Sequence, residues 1–480
     1  IADWRDAFFP DPFVGVADLG RDGNWMHRTA TFPPAEGLPG DPLTEKNPFT
    51  VRGYLLHTVS LLRTLLTGVE TEPSNARGDG NDARAPSREA VSRQIAELFR
   101  YGLLSTTAGL IAAVGLLDVI LRSLPSYSEN VVLDLLQRVS GVVRGQLEAV
   151  VEQDEEVRYK WEIIDLVVAI MVGIIRHGLL YHPKGFDAIN DYECTEWLKL
   201  NGASEKSVRS AFVRGLHDLA FAYGKDGPQP GLAAGQAIRG SLRMLFTYRG
   251  AIFWKMRAGM GDIVFAPFYE VLKKRGVKFE FFHRLKNLKI AGPGRGSGPH
   301  VETLEFEVQA KIKRGREYRP LIDVRGLPCW PSAPEYDQLV DGRRMQAEQR
   351  DFESDWDRRH VTTKTLRVVD DFGFVVLGIG VGAIPDVCSE IIARDERWQS
   401  MVEHVTTVET QAFQLWLRED MVAVGWTGPP VNISGYVNPF NTWADMRQLI
   451  PMESWPDVPR GIAYFCNALP DDPSLDRGDP

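Results

Sequence analysis

The sequence predicts a mixed α/β chain with a helix-rich first half. Two long apolar runs, at residues 103–121 and 163–180, have the length and composition of buried helices. Leu304, Phe306, Val308, Ala310 and Ile312 alternate with Glu305, Glu307, Gln309 and Lys311, the pattern of a half-buried strand. Phe374, Val375, Val376 and Leu377 form a continuous apolar run, which predicts a strand buried on both faces. With 480 residues the chain has room for two or three domains.

Taken in order, residues 1–50 are rich in Phe-Pro, Gly and Asp and read as loops and short elements. Leucines at helical spacing predict a helix over residues 54–66, and residues 71–87, without a bulky apolar side chain, read as a mobile surface insertion. The 103–121 and 163–180 runs are near bilayer-spanning length, but Asp118, Asp165 and Arg176 inside them favour core helices. Ser204 before Glu205 is helix-start chemistry for an amphipathic stretch over 208–223, and residues 233–254 read as one more helix. A short helix over 265–274 stops at Arg275-Gly276. Val277, Phe279 and Phe281 then alternate, predicting a strand over 277–290, and the glycine-rich residues 291–299 read as a hairpin tip. A helix is expected over 385–394, strand-like stretches over 412–417 and 421–426, and irregular chain over the last 50 residues.

Lys and Arg number 55 against 64 Asp and Glu, a formal net charge of −9, which argues against nucleic acid as the main partner. Cys194, Cys329, Cys388 and Cys466 form no C-x-x-C pair and read as the reduced thiols of a cytoplasmic protein. The nine histidines are dispersed, and no zinc-hydrolase, serine-hydrolase or calcium-loop pattern is present. The basic run from Lys311 to Arg316 reads as a solvated face. Gly378-x-Gly380-x-x-Ala383, between an expected strand and helix, fits a relaxed dinucleotide turn whose glycines let backbone approach a pyrophosphate. The acid that completes such a fingerprint is missing about 20 residues on, where Asp395 and Glu396 sit in helix-like sequence.

Several motifs fall in a recognisable order: Gly259-Met260-Gly261-Asp262, the short helix, Gly276-Val277-Lys278-Phe279, the step from Leu285 to Leu288, and Phe374-Val375-Val376-Leu377-Gly378. Upstream lie Gly185-Phe186-Asp187, the stretch from Tyr248 to Met256, and Leu327-Pro328-Cys329-Trp330-Pro331. This order resembles the flavin amine oxidase and carotenoid (phytoene) desaturase superfamily. The resemblance implies FAD as cofactor, with Leu285 meeting the adenine through its backbone and Gly378, Ile379 and Gly380 running beside the pyrophosphate. It implies a helix-rich substrate domain with a mixed sheet over 1–257 and 395–480. Residues 258–394 would return to an incomplete Rossmann-like FAD-binding domain. The family's first G-x-G-x-x-G unit and its closing G-D segment are absent, so a fragment is expected, with the first unit encoded upstream of Ile1. The implied reaction is hydride removal to flavin from a lipophilic, terpenoid-like substrate, or from an amine as second choice. Trp254 and Trp330 are candidate pocket walls, and no general base is identified. Peripheral membrane contact is the further expectation, and the competing readings are a non-catalytic lipid-binding protein and a nucleotide-dependent transferase.

Overall fold

The computed structural model describes residues 4–20, 23–32, 34–41, 133, 137, 155–223, 231–292, 298–315, 317–437 and 440–469. The expected helix at 54–66, the insertion at 71–87 and the apolar run at 103–121 lie outside them. In chain order the first described elements are α1 (Trp4–Ala7), β1 (Phe8–Asp11), β2 (Phe13–Leu19), β3 (Trp25–Thr31), α2 (Glu155–Arg176), α3 (Cys194–Leu200), α4 (Glu205–Val208), α5 (Ala211–Ala220), α6 (Ala234–Phe246) and β4 (Phe253–Met256). Then follow α7 (Ala266–Lys274), β5 (His283–Ile290), β6 (Val301–Val308), β7 (Ile322–Val324), β8 (Leu327–Cys329), α8 (Gly342–Ala347) and β9 (Thr362–Arg367). The last are α9 (Ile384–Val387), α10 (Ser389–Ile392), α11 (Glu396–His404), β10 (Glu409–Leu417), β11 (Asn432–Ser434), β12 (Thr442–Asp445) and β13 (Gly461–Leu469). The mixed class holds, at 33% helix and 25% strand among the described residues.

Helix α2 is apolar on nearly every side, and it is the centre of a helical core. Trp161, Met171, Ile174 and Leu179 are at most 1% exposed and pack with Ile189, Trp197 and Ile238. Gly173 lets α3 approach, because a Cβ there would meet the Trp197 ring at 2.2 Å. Ser204 caps α4 by accepting from the Ser207 N–H at 3.1 Å, as its sequence position predicts. The helix expected over 233–254 stops at Phe246. Gly250 turns the chain at a φ of 68° and residues 253–256 pair with β1, so Trp254 stands on a strand.

The largest sheet orders its strands β10-β13-β12-β11-β2-β3. All pairs are antiparallel except β2 with β11, where Val14 to Val16 lie beside Asn432 to Ser434. Two expectations are corrected. Residues 13–31 supply two full strands rather than loops, and the last 50 residues hold three strands of this sheet rather than irregular chain. Residues 421–426, expected as strand, form a turn capped by the Trp426 N–H to the Met421 carbonyl. One face of the sheet buries Ala17, Ile433, Trp443 and Ala463 with Trp25, Trp426 and Phe465. Helix α5 covers the other, with Gly215 against Val16 and Ser434.

The joint between α5 and the sheet is polar and buried. Asp218, 2% exposed, accepts from the Gly435 N–H at 3.1 Å, the Asn441 amide at 2.8 Å and the Tyr223 hydroxyl. At the preceding residue, His217 Nδ1 meets the carbonyl of Val213, one turn back, at 2.9 Å and Nε2 faces Glu193 Oε1 at 3.4 Å. Burial opposes the Glu193 charge, but hydrogen bonds from His217 and Thr195 hold its carboxyl down at about 2. Burial likewise opposes the imidazolium, yet the bonds to Glu193 and Val213 raise His217 above 6.5.

A carboxyl depressed on folding stabilises the protein above its unfolded value, near 4.5, and loses that contribution as pH falls towards 2. A raised histidine contributes fully below 6.5 and loses its share as pH rises through its folded value. Glu193→Gln is therefore expected to cost roughly 1–3 kcal/mol at neutral pH. In urea titrations at a series of pH values, the gap between wild type and variant should close below pH 4.5. A gap constant down to pH 2 would place the cost elsewhere.

Candidate functional site

The segments expected to meet a cofactor gather on a small unit built from β5, β6, β9 and helices α9 to α11. Strands β5, β6 and β9 form an antiparallel meander, with β5 at one edge and a bulge between Leu285 and Asn287. The β5–β6 hairpin is as expected, though its strand begins at His283; residues 277–282 lie before it outside the ladder, with the Phe282 carbonyl accepting from the Gln309 N–H at 2.8 Å. Leu288, Leu304, Ile384, Val387 and Cys388 form the core of the unit, and Leu285, Val375 and Leu377 pack against it. Two segments 90 residues apart in sequence, one carrying Leu285 and the other leading into Gly378, thus share one apolar centre.

The expected strand buried on both faces is corrected. Residues 374–378 are extended but belong to no sheet, and no N–H group of residues 374–380 donates to a backbone carbonyl among the described residues. Val375 and Leu377 point into the core, while Phe374 and Val376 are 97% and 96% exposed. The alternation is that of a strand with one face covered and one bare. The expected helix over 385–394 is also corrected: Val381 to Ala383 make a single 3₁₀ turn, and the chain then breaks at Cys388 between α9 and α10. These four-residue helices carry too few aligned peptides to act as a phosphate-holding helix terminus. Gly378, Ile379 and Gly380 are exposed, and a Cβ on either glycine would meet nothing within 4 Å. Gly380 has φ −63° and ψ 146°, open to any residue, so its glycine relieves no backbone strain. What the turn offers is unobstructed backbone.

Nothing among the described residues shows a Rossmann-like layer, since the one parallel pairing between strands there is β2 with β11. No group of three or more His, Cys, Asp and Glu suited to a metal occurs among them, and none of their helices is long and apolar enough to cross a membrane.

The two tryptophans are both half-buried, in different surroundings. Trp254 donates from Nε1 to the Arg249 carbonyl at 3.1 Å, and its ring lies over Gly250. Trp330 donates its N–H to Asp262 Oδ1 at 2.8 Å and sets its ring edge-on to Tyr269, centroids 5.5 Å apart. No described ring contact joins the two. Around Trp330 the structure adds neighbours to which sequence reasoning gave no role there: Asp262, Tyr269, Cys329 and Glu453. Burial first, then the nearby Asp262 and Glu453, pushes the Cys329 thiol up to about 11, so it stays protonated and unreactive at neutral pH. The Glu193–His217 and Asp218 networks were missed as well. Their partners lie up to 223 residues apart, so local spacing carried no signal. An open groove of about 590 Å³ runs along α11 between Glu396 and Val405, and its Met401 packs on the core that Leu285 and Leu377 share. Compared with known proteins, the chain matches no family model, no curated protein and no solved structure.

The open space at Gly380 makes it a clean probe. Gly380→Val is expected to leave stability within about 0.5 kcal/mol. Gly342→Ala, whose Cβ would fall 1.9 Å from the Tyr336 carbonyl oxygen, should cost about 1–3 kcal/mol. Urea midpoints of the two variants test the contrast. A large loss at Gly380 would mean that the turn is packed.

Proposed function

We propose that this protein is an FAD-dependent oxidoreductase of the amine oxidase and desaturase type, moving hydride from a lipophilic substrate to flavin. One observation carries the reading: Leu285 and the segment entering Gly378 share a single core, and the backbone beyond that core is bare. A pyrophosphate needs close access to N–H groups. Residues 378–380 offer donors that no carbonyl takes and no side chain covers. FAD fits this arrangement, with the Leu285 backbone beside the adenine and Gly378, Ile379 and Gly380 beside the pyrophosphate. When bound, the flavin accepts the hydride. The chain's own part is to orient the substrate and exclude water, and Trp254 and Trp330 are the aromatic surfaces proposed for it. The motif order that resembles flavin enzymes supports the same assignment.

A second reading, a lipid-binding protein without flavin, is favoured by the outer face of α7. Phe265 and Phe268 there are 55% and 59% exposed, and Val271 and Leu272 lie beside them. The two readings separate on colour.

The protein purified from cells, or mixed with FAD and passed through gel filtration, should carry flavin absorbance in its own peak. Gly380→Val should lower the flavin-to-protein ratio at limiting FAD about tenfold, a loss of about 1.4 kcal/mol. Gly292→Val, also on open backbone, should retain flavin. A colourless peak that co-elutes with extractable lipid would sink the flavin reading and support the second.

A further inference from the structure

Among the described residues, Arg257 is a half-buried cation left without a countercharge. Strand β4 pairs with β1, setting Lys255 opposite Phe9, and Arg257 follows on the same face two residues later. On that face Lys255 is fully engaged, its ammonium 3.2 Å from the buried Asp11 carboxylate and 3.1 Å from the Asp445 carbonyl. Asp445, with no exposure, takes the Arg447 guanidinium, with Nε at 2.7 Å. The Arg257 guanidinium instead lies over the Phe9 ring, its central carbon 4.2 Å from the ring centre. Its Nε is buried without a hydrogen-bond partner, and no ion pair joins it to a described carboxylate. Only its backbone N–H is engaged, donating to the Ala7 carbonyl at 3.0 Å. Lys255 and Arg447 thus each have a carboxylate partner, and Arg257 has none among the described residues.

We infer that Arg257 binds the carboxylate of an organic ligand with an apolar body. One uncompensated positive charge in a partly desolvated place matches one negative charge. The planar guanidinium presents a fork that fits a carboxylate's two oxygens, and its weak hydration lets it rest on Phe9 meanwhile. The Phe9 ring beneath the fork is an apolar surface, while Phe8, Met256 and Ala258 turn to the opposite face of the pairing and pack in a separate core. The ring favours a ligand whose carboxylate is borne on a hydrophobic chain or ring system over a small, strongly hydrated anion. The inference stands apart from the flavin reading, since it concerns other residues and is measured without reference to flavin content.

The test is calorimetric titration of the intact protein with dodecanoate, dodecan-1-ol and inorganic phosphate. Dodecanoate should bind saturably, and Arg257→Met should weaken it tenfold or more while leaving dodecanol binding unchanged. Arg257→Lys, which keeps the charge and loses the fork, should fall between the two. Equal dodecanoate affinity in wild type and Arg257→Met overturns the assignment. Phosphate binding that is tighter than dodecanoate and lost in the variant also overturns it. Circular dichroism confirms folding; should Arg257→Met fail to fold, unchanged dodecanoate affinity in Arg257→Lys overturns the inference on its own. Flavin absorbance of the same samples reports separately on the cofactor, so either reading can fail without the other.

Discussion

The buried carboxylate of Asp218 is the constraint on which the arrangement of the helical and sheet parts depends. A charge with so little access to water is costly unless donors surround it. Here they come from three places: the Tyr223 hydroxyl just past α5, the Gly435 N–H at the end of β11, and the Asn441 amide ahead of β12. The carboxylate can be satisfied only when α5 sits on the sheet in one position. Gly435 tightens the same joint. It has a φ of 96°, and a Cβ there would lie 2.7 Å from the Ala17 carbonyl oxygen, so the approach of β11 to β2 also needs glycine. The single parallel pairing of the sheet forms at this point, joining the start of the chain to its last strands.

Where the sequence was legible, the information was local. Caps such as Ser204 and the alternation of Leu304, Phe306 and Val308 depend on neighbours a few residues away; the cap forms, and so does the strand, though it ends at Val308 before Ala310 and Ile312 and buries Glu307 as well. The misread elements depend on partners hundreds of residues off. The strand Phe13–Leu19 alternates weakly because Gly15 and Ala17 are small, and they are small because Ile433 and Gly435 press against them. The strand Gly461–Leu469 carries no clean alternation because it lies between β10 and β12 and both of its faces are covered in part. Nothing within either segment announces those neighbours.

The stretch from Phe374 to Leu377 shows the same limit from the other side. Its apolar run records side chains suited to burial, but burial on two faces is a property of what lies against them. Val375 and Leu377 have found a core; Phe374 and Val376 have not. Phe268 of α7 and Phe265 just before it are likewise more than half open to water. Large apolar side chains left bare in this way mark surfaces that meet something else.

Lys255 and Arg257 separate the structural use of a buried cation from a use that awaits a ligand. They share a face of β4, and both leave water for partly apolar surroundings, so each bears a desolvation cost. For Lys255 that cost is offset within the fold by Asp11 and the Asp445 carbonyl. An ammonium placed at Arg257 with no partner would tend to shed its proton. A guanidinium cannot do so, and it is content on an aromatic face because its charge is spread over a flat, weakly hydrated group. Arginine is therefore the one cation that can stay charged at this position without a partner of its own. That persistence of charge is what the approach of a carboxylate requires.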